Sequence, residues 1–226
     1  MMTNKNIFVA CDVSSHKEIL DLLELVHEEI SGIKIGLQYI TQRSPEEIRE
    51  LSKFKKPIFY DGKFFDIKNT LVESIKSLKS LNITYATVHL LNGLDALKKA
   101  NEAAKEINLN LLGVSVLTSF NDEDLINLGF NNKVEDQVKK LIKIAVNANL
   151  YGVICSPLEI RMIKKIAPKL KCFTPGIRMG DANDDQKRTM NANEAIKEGS
   201  DCLIIGRPIT KGDPKKNIKY ILSTIE

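Results

Sequence analysis

Two carboxylates and one ammonium group follow a short apolar run near residue 60. The segment Pro57-Ile58-Phe59-Tyr60 is typical of a buried strand, and Asp61, Lys63 and Asp66 come directly after it. Because strand side chains alternate between faces, Phe59, Asp61 and Lys63 are expected on one side. Removing ions from water is costly unless they pair, so the cluster indicates a site that uses its charges. The cluster predicts that the ammonium group acts as an acid, delivering its proton at a fixed point beside the negative charge that keeps it protonated. The alternative interpretation is a salt bridge at the end of the strand.

Short apolar runs rich in β-branched residues alternate with longer segments of helical period. Eight such pairs can be counted along the 226 residues. Their order predicts an α/β fold, an eightfold (β/α) or TIM barrel formed by residues 1–226 as a single domain, rather than an open doubly wound sheet. The predicted strands are 7–11, 33–36, 57–60, 85–89, 111–116, 152–155, 172–174 and 202–205. Ser-x-x-Glu capping boxes are predicted at Ser15, Ser44 and Ser156.

Composition restricts the class of protein. A net charge of +4, dispersed along the chain, is too small to indicate nucleic-acid binding, although it suits an anionic small substrate. No stretch approaches the roughly 18 apolar residues of a membrane span, and the N-terminus leads into a strand rather than a signal sequence. The four cysteines lie in apolar runs without CxxC spacing, so reduced, buried thiols and a cytoplasmic location are expected.

In such a barrel the site is expected at the C-terminal ends of the strands. Asp12 follows the first predicted strand, and Lys34 lies within the second. A buried lysine needs a carboxylate partner, and Asp61 on the neighbouring strand is the expected one. His89, at the end of the fourth strand, is open between a structural, hydrogen-bonded histidine and a general base. Thr118 follows the fifth strand and could contact a planar polar ring or cap the next helix.

The last two strand ends predict an anion site. Gly176 and Arg178 follow the seventh strand, and Gly206 and Arg207 follow the eighth. Glycine lets backbone N–H groups approach an anion, and arginine supplies a planar, permanently charged fork that suits phosphate. The polar residues 179–188 between them are interpreted as a lid over the site, with a disordered surface connection as the alternative.

These residues together carry a family resemblance. Residues 61–70, Asp-Gly-Lys-Phe-Phe-Asp-Ile-Lys-Asn-Thr, are similar to the Asp-x-Lys-x-x-Asp-Ile-Pro-Asn-Thr segment of orotidine 5′-phosphate decarboxylases. The other matching segments, in the family's order, are Asp12, Lys34, Leu117-Thr118-Ser119, Thr174-Pro175-Gly176-Ile177-Arg178, Asp184-Asp185-Gln186-Lys187-Arg188 and Gly206-Arg207-Pro208-Ile209-Thr210. Lys68 departs from the pattern, because the family usually has proline there, and it is expected to point outward.

The resemblance implies conversion of orotidine 5′-monophosphate to UMP and CO₂ in de novo pyrimidine biosynthesis, without metal or organic cofactor. By analogy Lys63 donates a proton to a carbanion, while Asp61 and Asp66 position it and border the departing carboxylate. The other residues implied around the substrate are Asp12, Lys34 and Thr70 at the ribose and the charge array, Thr118 at the base, and Gln186, Arg178, Arg207 and the Gly206 backbone at the phosphate. In this family the positions of Asp66, Ile67 and Thr70 reach the neighbouring subunit's site, which implies a homodimer with shared active sites.

Two alternative functions remain open. One is a sister enzyme similar to 3-keto-L-gulonate 6-phosphate decarboxylase or hexulose-phosphate synthase, which share Asp-x-Lys-x-x-Asp but use magnesium on sugar phosphates. The features that favour the orotidine interpretation are the Ile67-x-Asn69-Thr70 continuation, Pro175-Gly176-Ile177-Arg178 and Gln186. The other is a catalytically silent, UMP-binding barrel, against which the intact Lys63 argues.

Overall fold

Eight parallel strands close into a barrel in a computed structural model, which describes residues 6–13, 15–179 and 188–225. Each strand pairs with the next in chain order, and the last pairs with the first. The strands are β1 Ile7–Ala10, β2 Gly32–Gly36, β3 Ile58–Phe64, β4 Tyr85–His89, β5 Asn110–Val114, β6 Gly152–Ile154, β7 Lys171–Thr174 and β8 Cys202–Ile205. The predicted α/β class and eightfold (β/α) barrel are confirmed.

Helices cover the outer face of the barrel. The α-helices of the described residues are α1 His16–Val26, α2 Leu37–Ile40, α3 Pro45–Glu50, α4 Lys68–Ser77, α5 Leu94–Glu106, α6 Asp122–Asn127, α7 Val134–Asn147, α8 Ile160–Ile166, α9 Ala192–Lys197, α10 Arg207–Thr210 and α11 Pro214–Thr224. Short 3₁₀ turns lie at Leu51–Phe54, Leu78–Leu81, Leu90–Asn92 and Pro157–Glu159. Within the described ranges, none of these helices has the length and apolar character needed to cross a membrane.

The capping boxes form largely as predicted. Ser44 and Ser156 each bond reciprocally with the glutamate three residues later, whereas Ser15 only accepts a hydrogen bond from the Glu18 N–H. All four cysteines are free and buried, as expected.

The third strand is longer than predicted. Pairing with β4 continues through a register shift between Tyr60 and Phe64, so β3 ends at Phe64 rather than at Tyr60. Asp61 and Lys63 therefore lie inside the strand instead of after it. The prediction failed because apolar character ends at Tyr60, whereas the backbone ladder does not depend on side-chain polarity. The other strand ends differ from prediction by at most two residues.

Aromatic rings fill the interior of the barrel. Phe8 packs edge-to-face against Phe59 and Phe173, with centroid distances of 6.5 and 6.1 Å, and against Tyr85 at 5.6 Å. A Cβ at position 32 would lie 2.2 Å from the Phe8 ring, so Gly32 provides the space for this cluster. The packed rings close the barrel below its C-terminal end.

Strand alternation carries polar side chains above these rings. Phe8 and Phe59 face inward, so the residues two and four positions further along β1 and β3 face the same way. Those positions hold Asp12, Asp61 and Lys63. The pleat of the barrel thus gathers charged groups at the C-terminal ends of its strands, as the fold class predicts.

Candidate active site

Four charged side chains form a continuous chain across the first three strands. Lys34 Nζ lies 3.4 Å from Asp12 Oδ1 and 3.4 Å from Asp61 Oδ2. Asp61 Oδ2 also accepts a hydrogen bond from Lys63 Nζ at 2.9 Å. The side chains of Lys34 and Asp61 are only 12% and 11% exposed, so their charges depend on one another. The predicted pairing of Lys34 with Asp61 is confirmed.

The array favours the charged forms of its two most buried members, Asp61 and Lys34. Burial by itself would raise the pKa of Asp61, but Lys34 and Lys63 outweigh that effect and hold this pKa below its usual value of 3.8. Burial likewise acts to lower the pKa of Lys34, and the carboxylates of Asp61 and Asp12 raise it above 10.5. Lys34 and Asp61 are therefore both charged at neutral pH despite their burial.

The pKa of Asp61 predicts how stability depends on pH. A carboxyl whose pKa is lowered by folding stabilises the folded state above its unfolded pKa, and that contribution is lost as pH falls through the folded pKa. We expect Asp61→Asn to lower the free energy of unfolding by about 3–5 kcal/mol at pH 7, because Lys34 loses a buried partner. The difference from the wild type should begin to shrink below pH 3.8, where Asp61 of the unfolded chain binds its proton, and should be lost as pH falls through the lower pKa of the folded state.

Urea unfolding of both proteins between pH 3 and 7 measures this difference. Asp95→Asn is a matched control, because Asp95 forms only an exposed ion pair with Lys68. A gap between wild type and Asp61→Asn that stays constant down to pH 3 would contradict the assignment.

Thr87 holds both charged residues of β3 and was missed from the sequence. Its buried hydroxyl donates to Asp61 Oδ1 at 2.9 Å and accepts from the Lys63 N–H at 2.8 Å. Lys63 has a φ of 47°, a left-handed conformation that side-chain-bearing residues rarely adopt. Threonine is common in strands, so its presence in β4 carried no signal. The hydroxyl fixes the strained backbone and the carboxylate together.

A cavity of about 470 Å³ lies beside the charge array. Its lining brings together five predicted site residues, namely Asp12, Lys34, Arg178, Gly206 and Arg207. Val13, Pro175, Thr210 and Lys211 also contribute to the lining. One wall of the cavity carries the Lys34 ammonium and its partner, the Asp12 carboxylate. The other wall carries two arginines and the glycine that precedes α10, and this combination suits an anionic, polar ligand.

Gly36 leaves space for the Asp12 and Lys34 side chains. A Cβ at this position would lie 2.8 Å from Asp12 Oδ1 and 3.4 Å from Lys34 Nζ. A side chain at this position would displace the Asp12 carboxylate. The glycine was part of the predicted second strand, but only the folded structure shows what approaches it.

Asp66, Ile67 and Thr70 lie apart from the cavity. Asp66 Oδ1 accepts from the Ile67 N–H at 2.7 Å and forms no ion pair with any residue that the structure describes. Ile67 is 74% exposed, and Thr70 is exposed at the start of α4. Within one chain, therefore, the expected contact of Asp66 with Lys63 is absent from the described residues, and all three side chains are exposed.

Lys68 points outward, as expected. Its Nζ forms an exposed ion pair with Asp95 Oδ2 at 2.8 Å, and it is the first residue of α4. A proline would fit this first helical position.

A buried arginine holds the loop after β5. Arg188 pairs with the Glu159 carboxylate, its Nη2 donates to the Leu117 carbonyl at 3.0 Å, and its Nε lies 3.5 Å from the Thr118 carbonyl. Burial raises the pKa of Glu159, and Arg188 opposes that shift. Thr118 itself is partly buried and is not part of the cavity lining. Glu159 was identified only as a capping residue, so this second role was missed.

Gln186 and residues 180–187 of the predicted lid lie outside the described residues.

His89 has the contacts of a structural histidine. Its Nδ1 accepts from the Leu91 N–H at 3.3 Å, and its ring centroid lies 5.5 Å from that of Phe65. Burial, followed by the charge of Lys63, lowers its pKa below 6.5. The neutral, hydrogen-bonded ring agrees with the structural interpretation of this residue.

Comparison with known proteins shows the family. A model of the orotidine 5′-phosphate decarboxylase / HUMPS family matches residues 5–221. The chain belongs to this family. Two relatives named orotidine 5′-phosphate decarboxylase match almost end to end. The one from Wolbachia sp. subsp. Brugia malayi (strain TRS) is 37% identical over 221 residues, which cover 97% of this chain and 98% of the relative. The one from Dichelobacter nodosus (strain VCS1703A) is 37% identical over 230 residues, covering 99% and 100%.

Solved structures agree with membership of the orotidine 5′-phosphate decarboxylase / HUMPS family. A crystal structure of orotidine 5′-phosphate decarboxylase from Lactobacillus acidophilus matches with a TM-score of 0.85 at 30% identity, covering 97% of this chain and 98% of that one. An uncharacterized conserved protein from Geobacillus kaustophilus matches with a TM-score of 0.84 over 97% of this chain and all of that one, but at 23% identity this shows the fold alone. The predicted enzyme family, one of carboxy-lyases, is confirmed.

Proposed function

We propose that the protein decarboxylates orotidine 5′-monophosphate to UMP and CO₂ without a cofactor, as a step of pyrimidine biosynthesis in the cytoplasm. The observation that carries the proposal is the Asp12, Lys34, Asp61 and Lys63 array at the edge of an anion-binding cavity. Relatives at 34–37% identity that are named for this reaction support it. An ammonium group held 2.9 Å from a buried carboxylate suits proton delivery to a carbanion.

Substrate binding follows from the two walls of the cavity. The phosphate would contact Arg207, the Gly206 N–H and Arg178, with Gln186 proposed as a further contact. The ribose hydroxyls would contact Asp12 and Lys34, whose charges are already balanced within the array. These contacts hold the pyrimidine ring over the charge array, and Thr118 is proposed to contact the ring itself. Binding energy from the phosphate and ribose can in this way position a reacting carbon that they do not touch.

The chemistry consists of one bond cleavage and one proton transfer. The bond between the ring carbon and the carboxylate breaks, CO₂ leaves, and the electron pair stays on the ring carbon. Lys63 Nζ then gives a proton to that carbon and regains one from solvent. Asp61 orients Lys63, and the fixed ammonium groups of Lys34 and Lys63 stabilise the charge that develops, at no cost of reorganisation during the reaction.

Asp66 is proposed to act in the neighbouring subunit's site, in a homodimer. Among the described residues of its own chain it forms no ion pair with Lys63, and the adjoining Phe65 and Ile67 are 63% and 74% exposed. Large apolar side chains exposed together are typical of a protein interface. In a dimer Asp66 would complete the partner's charge array, and Ile67 and Thr70 would contact the partner's ligand.

The first test of the proposed function follows the ultraviolet absorbance of orotidine 5′-monophosphate with purified protein in EDTA. We expect rapid conversion to UMP. Turnover of sugar phosphates that appears only with magnesium would identify the sister enzymes instead. Tight UMP binding without any turnover would identify a silent nucleotide-binding barrel.

Arg207→Ala should weaken substrate binding and catalysis severely while the fold stays intact. Arg207 is exposed at the start of α10 and lines the cavity, so its removal takes away a charge-assisted bond to phosphate while the core residues stay in place. We expect kcat/KM to fall by about 100-fold or more, since a charged contact is worth about 1.5–3 kcal/mol or more in a desolvated site.

Steady-state kinetics and the melting temperature measure the two effects of Arg207→Ala. Arg161→Ala is the control, because Arg161 forms a surface ion pair with Glu198 and is not part of the cavity lining. Wild-type kinetics in Arg207→Ala would remove Arg207 from the site.

A further inference from the structure

Asn92 uses its entire side-chain amide to join the ends of two neighbouring strands. It is the last residue of the 3₁₀ turn that follows β4. Its Nδ2 donates to the Phe64 carbonyl at 2.9 Å and to the His89 carbonyl at 2.8 Å. Its Oδ1 accepts from the Asp66 N–H at 3.1 Å. Both donors and one acceptor position of the amide are therefore occupied, all by main-chain groups.

These bonds act where the chain has little other support. Phe64 is the last residue of β3, so the ladder with β4 ends two residues before Asp66. Phe65 and Ile67, on either side of Asp66, are largely exposed, so core packing does not hold this segment. The ion pair between Lys68 and Asp95 is exposed and contributes little. The amide of Asn92 is thus the main tertiary contact of the Asp66 backbone.

Side chains hold the end of β3 and the residues after it at three main-chain groups. Thr87 bonds the Lys63 N–H, and Asn92 bonds the Phe64 carbonyl and the Asp66 N–H. Both anchoring residues come from β4 or the turn after it. The positions of β4 and its turn therefore fix the main chain that carries the Lys63 ammonium and the Asp66 carboxylate.

We propose that Asn92 is a positioning residue for the decarboxylation, acting through the main chain of Asp66 without touching the substrate. The inference rests on the proposed function, in which Asp66 supplies the second carboxylate of the site. An amide is needed because the three partners are two acceptors and one donor. Aspartate would turn both donors into acceptors facing the carbonyls of Phe64 and His89, and alanine would remove all three bonds.

Asn92→Ala tests the proposal by separating kcat from KM. We expect kcat to fall by about 100-fold, because a shift of about 1 Å at a reacting group has an effect of that size. KM should stay within about threefold, because the contacts to phosphate and ribose are untouched. Hydrogen exchange of the peptide covering residues 64–67 should become faster in the variant.

Asn101→Ala is the matched control. Asn101 is also a side-chain amide that bonds two main-chain carbonyls, those of Ala148 and Asn149, between α5 and the loop after α7. It is buried and far from the charge array in the topology, so its loss should lower the melting temperature and leave kcat unchanged. Asn92→Asp should behave like Asn92→Ala in kcat.

Each outcome decides a separate point. If Asn92→Ala and Asn101→Ala have the same kcat, Asn92 is only structural and the inference is overturned. If the wild type does not convert orotidine 5′-monophosphate, the proposed function fails, and the catalytic part of the inference fails with it. Exchange at residues 64–67 then still reports on the contact itself, and unchanged exchange in Asn92→Ala would show that Asn92 does not hold Asp66.

Discussion

Replacing Lys63 by alanine should abolish decarboxylation, with a loss in kcat of at least about 10⁴-fold. A positioned acid contributes about 10²–10⁴-fold and a fixed charge beside developing charge about 10²–10³-fold, and Lys63 supplies both. Its ammonium, 2.9 Å from Asp61, is the proton donor of the proposed mechanism. UMP binding should remain, because the contacts to phosphate and ribose come from other residues.

Single-turnover absorbance measurements with excess enzyme detect so large a loss, and calorimetric titration with UMP measures binding. Lys68→Ala is the control, since Lys68 is an exposed lysine five positions along the chain whose only ion pair among the described residues is with Asp95. It should keep wild-type turnover. A Lys63→Ala variant with kcat within tenfold of the wild type would exclude Lys63 as the proton donor.

Mixing two inactive variants should restore activity if the sites are shared. Lys63→Ala and Asp66→Ala are each expected to be nearly inactive as homodimers. In a mixed dimer, one site combines Lys63 from one subunit with Asp66 from the other and is intact. Half of the dimers are mixed at random pairing and each has one good site, so activity should return to about a quarter of the wild-type value.

The matched control mixes Lys63→Ala with Asp61→Ala. These residues pair within one subunit, so both sites of the mixed dimer remain defective and no activity should return. Co-expression of differently tagged chains, followed by two affinity steps, isolates the mixed dimers. If isolated mixed dimers of Lys63→Ala and Asp66→Ala stay inactive, Asp66 does not act in the neighbouring subunit.

The strand order and the charged cluster could be predicted from the sequence because both depend on the pattern of apolar and charged residues along the chain. A parallel barrel needs apolar strands at regular intervals, and those runs appeared with ends within two residues of the observed ones, apart from β3. The pairing of Lys34 with Asp61 was also predictable, because adjacent strands bring their inward residues together and a buried ammonium requires a carboxylate. Family membership followed from motifs in order along the chain and is confirmed by the comparison with known proteins.

Other parts of the site depend on contacts between residues far apart in sequence. Thr87 and Asn92 look ordinary in β4 and its turn, and their roles arise only because β3 and β4 lie side by side. The left-handed φ of Lys63 is imposed by these contacts and has no local signature such as glycine.

The sequence by itself therefore determined the fold, the family and the charged residues, because apolar period and buried charge are local properties of the chain. Only the tertiary structure decided which neutral groups hold those charges. It also showed that the Asp66 N–H bonds to Asn92, since hydrogen-bond partners are set by the register between strands and not by neighbours in sequence.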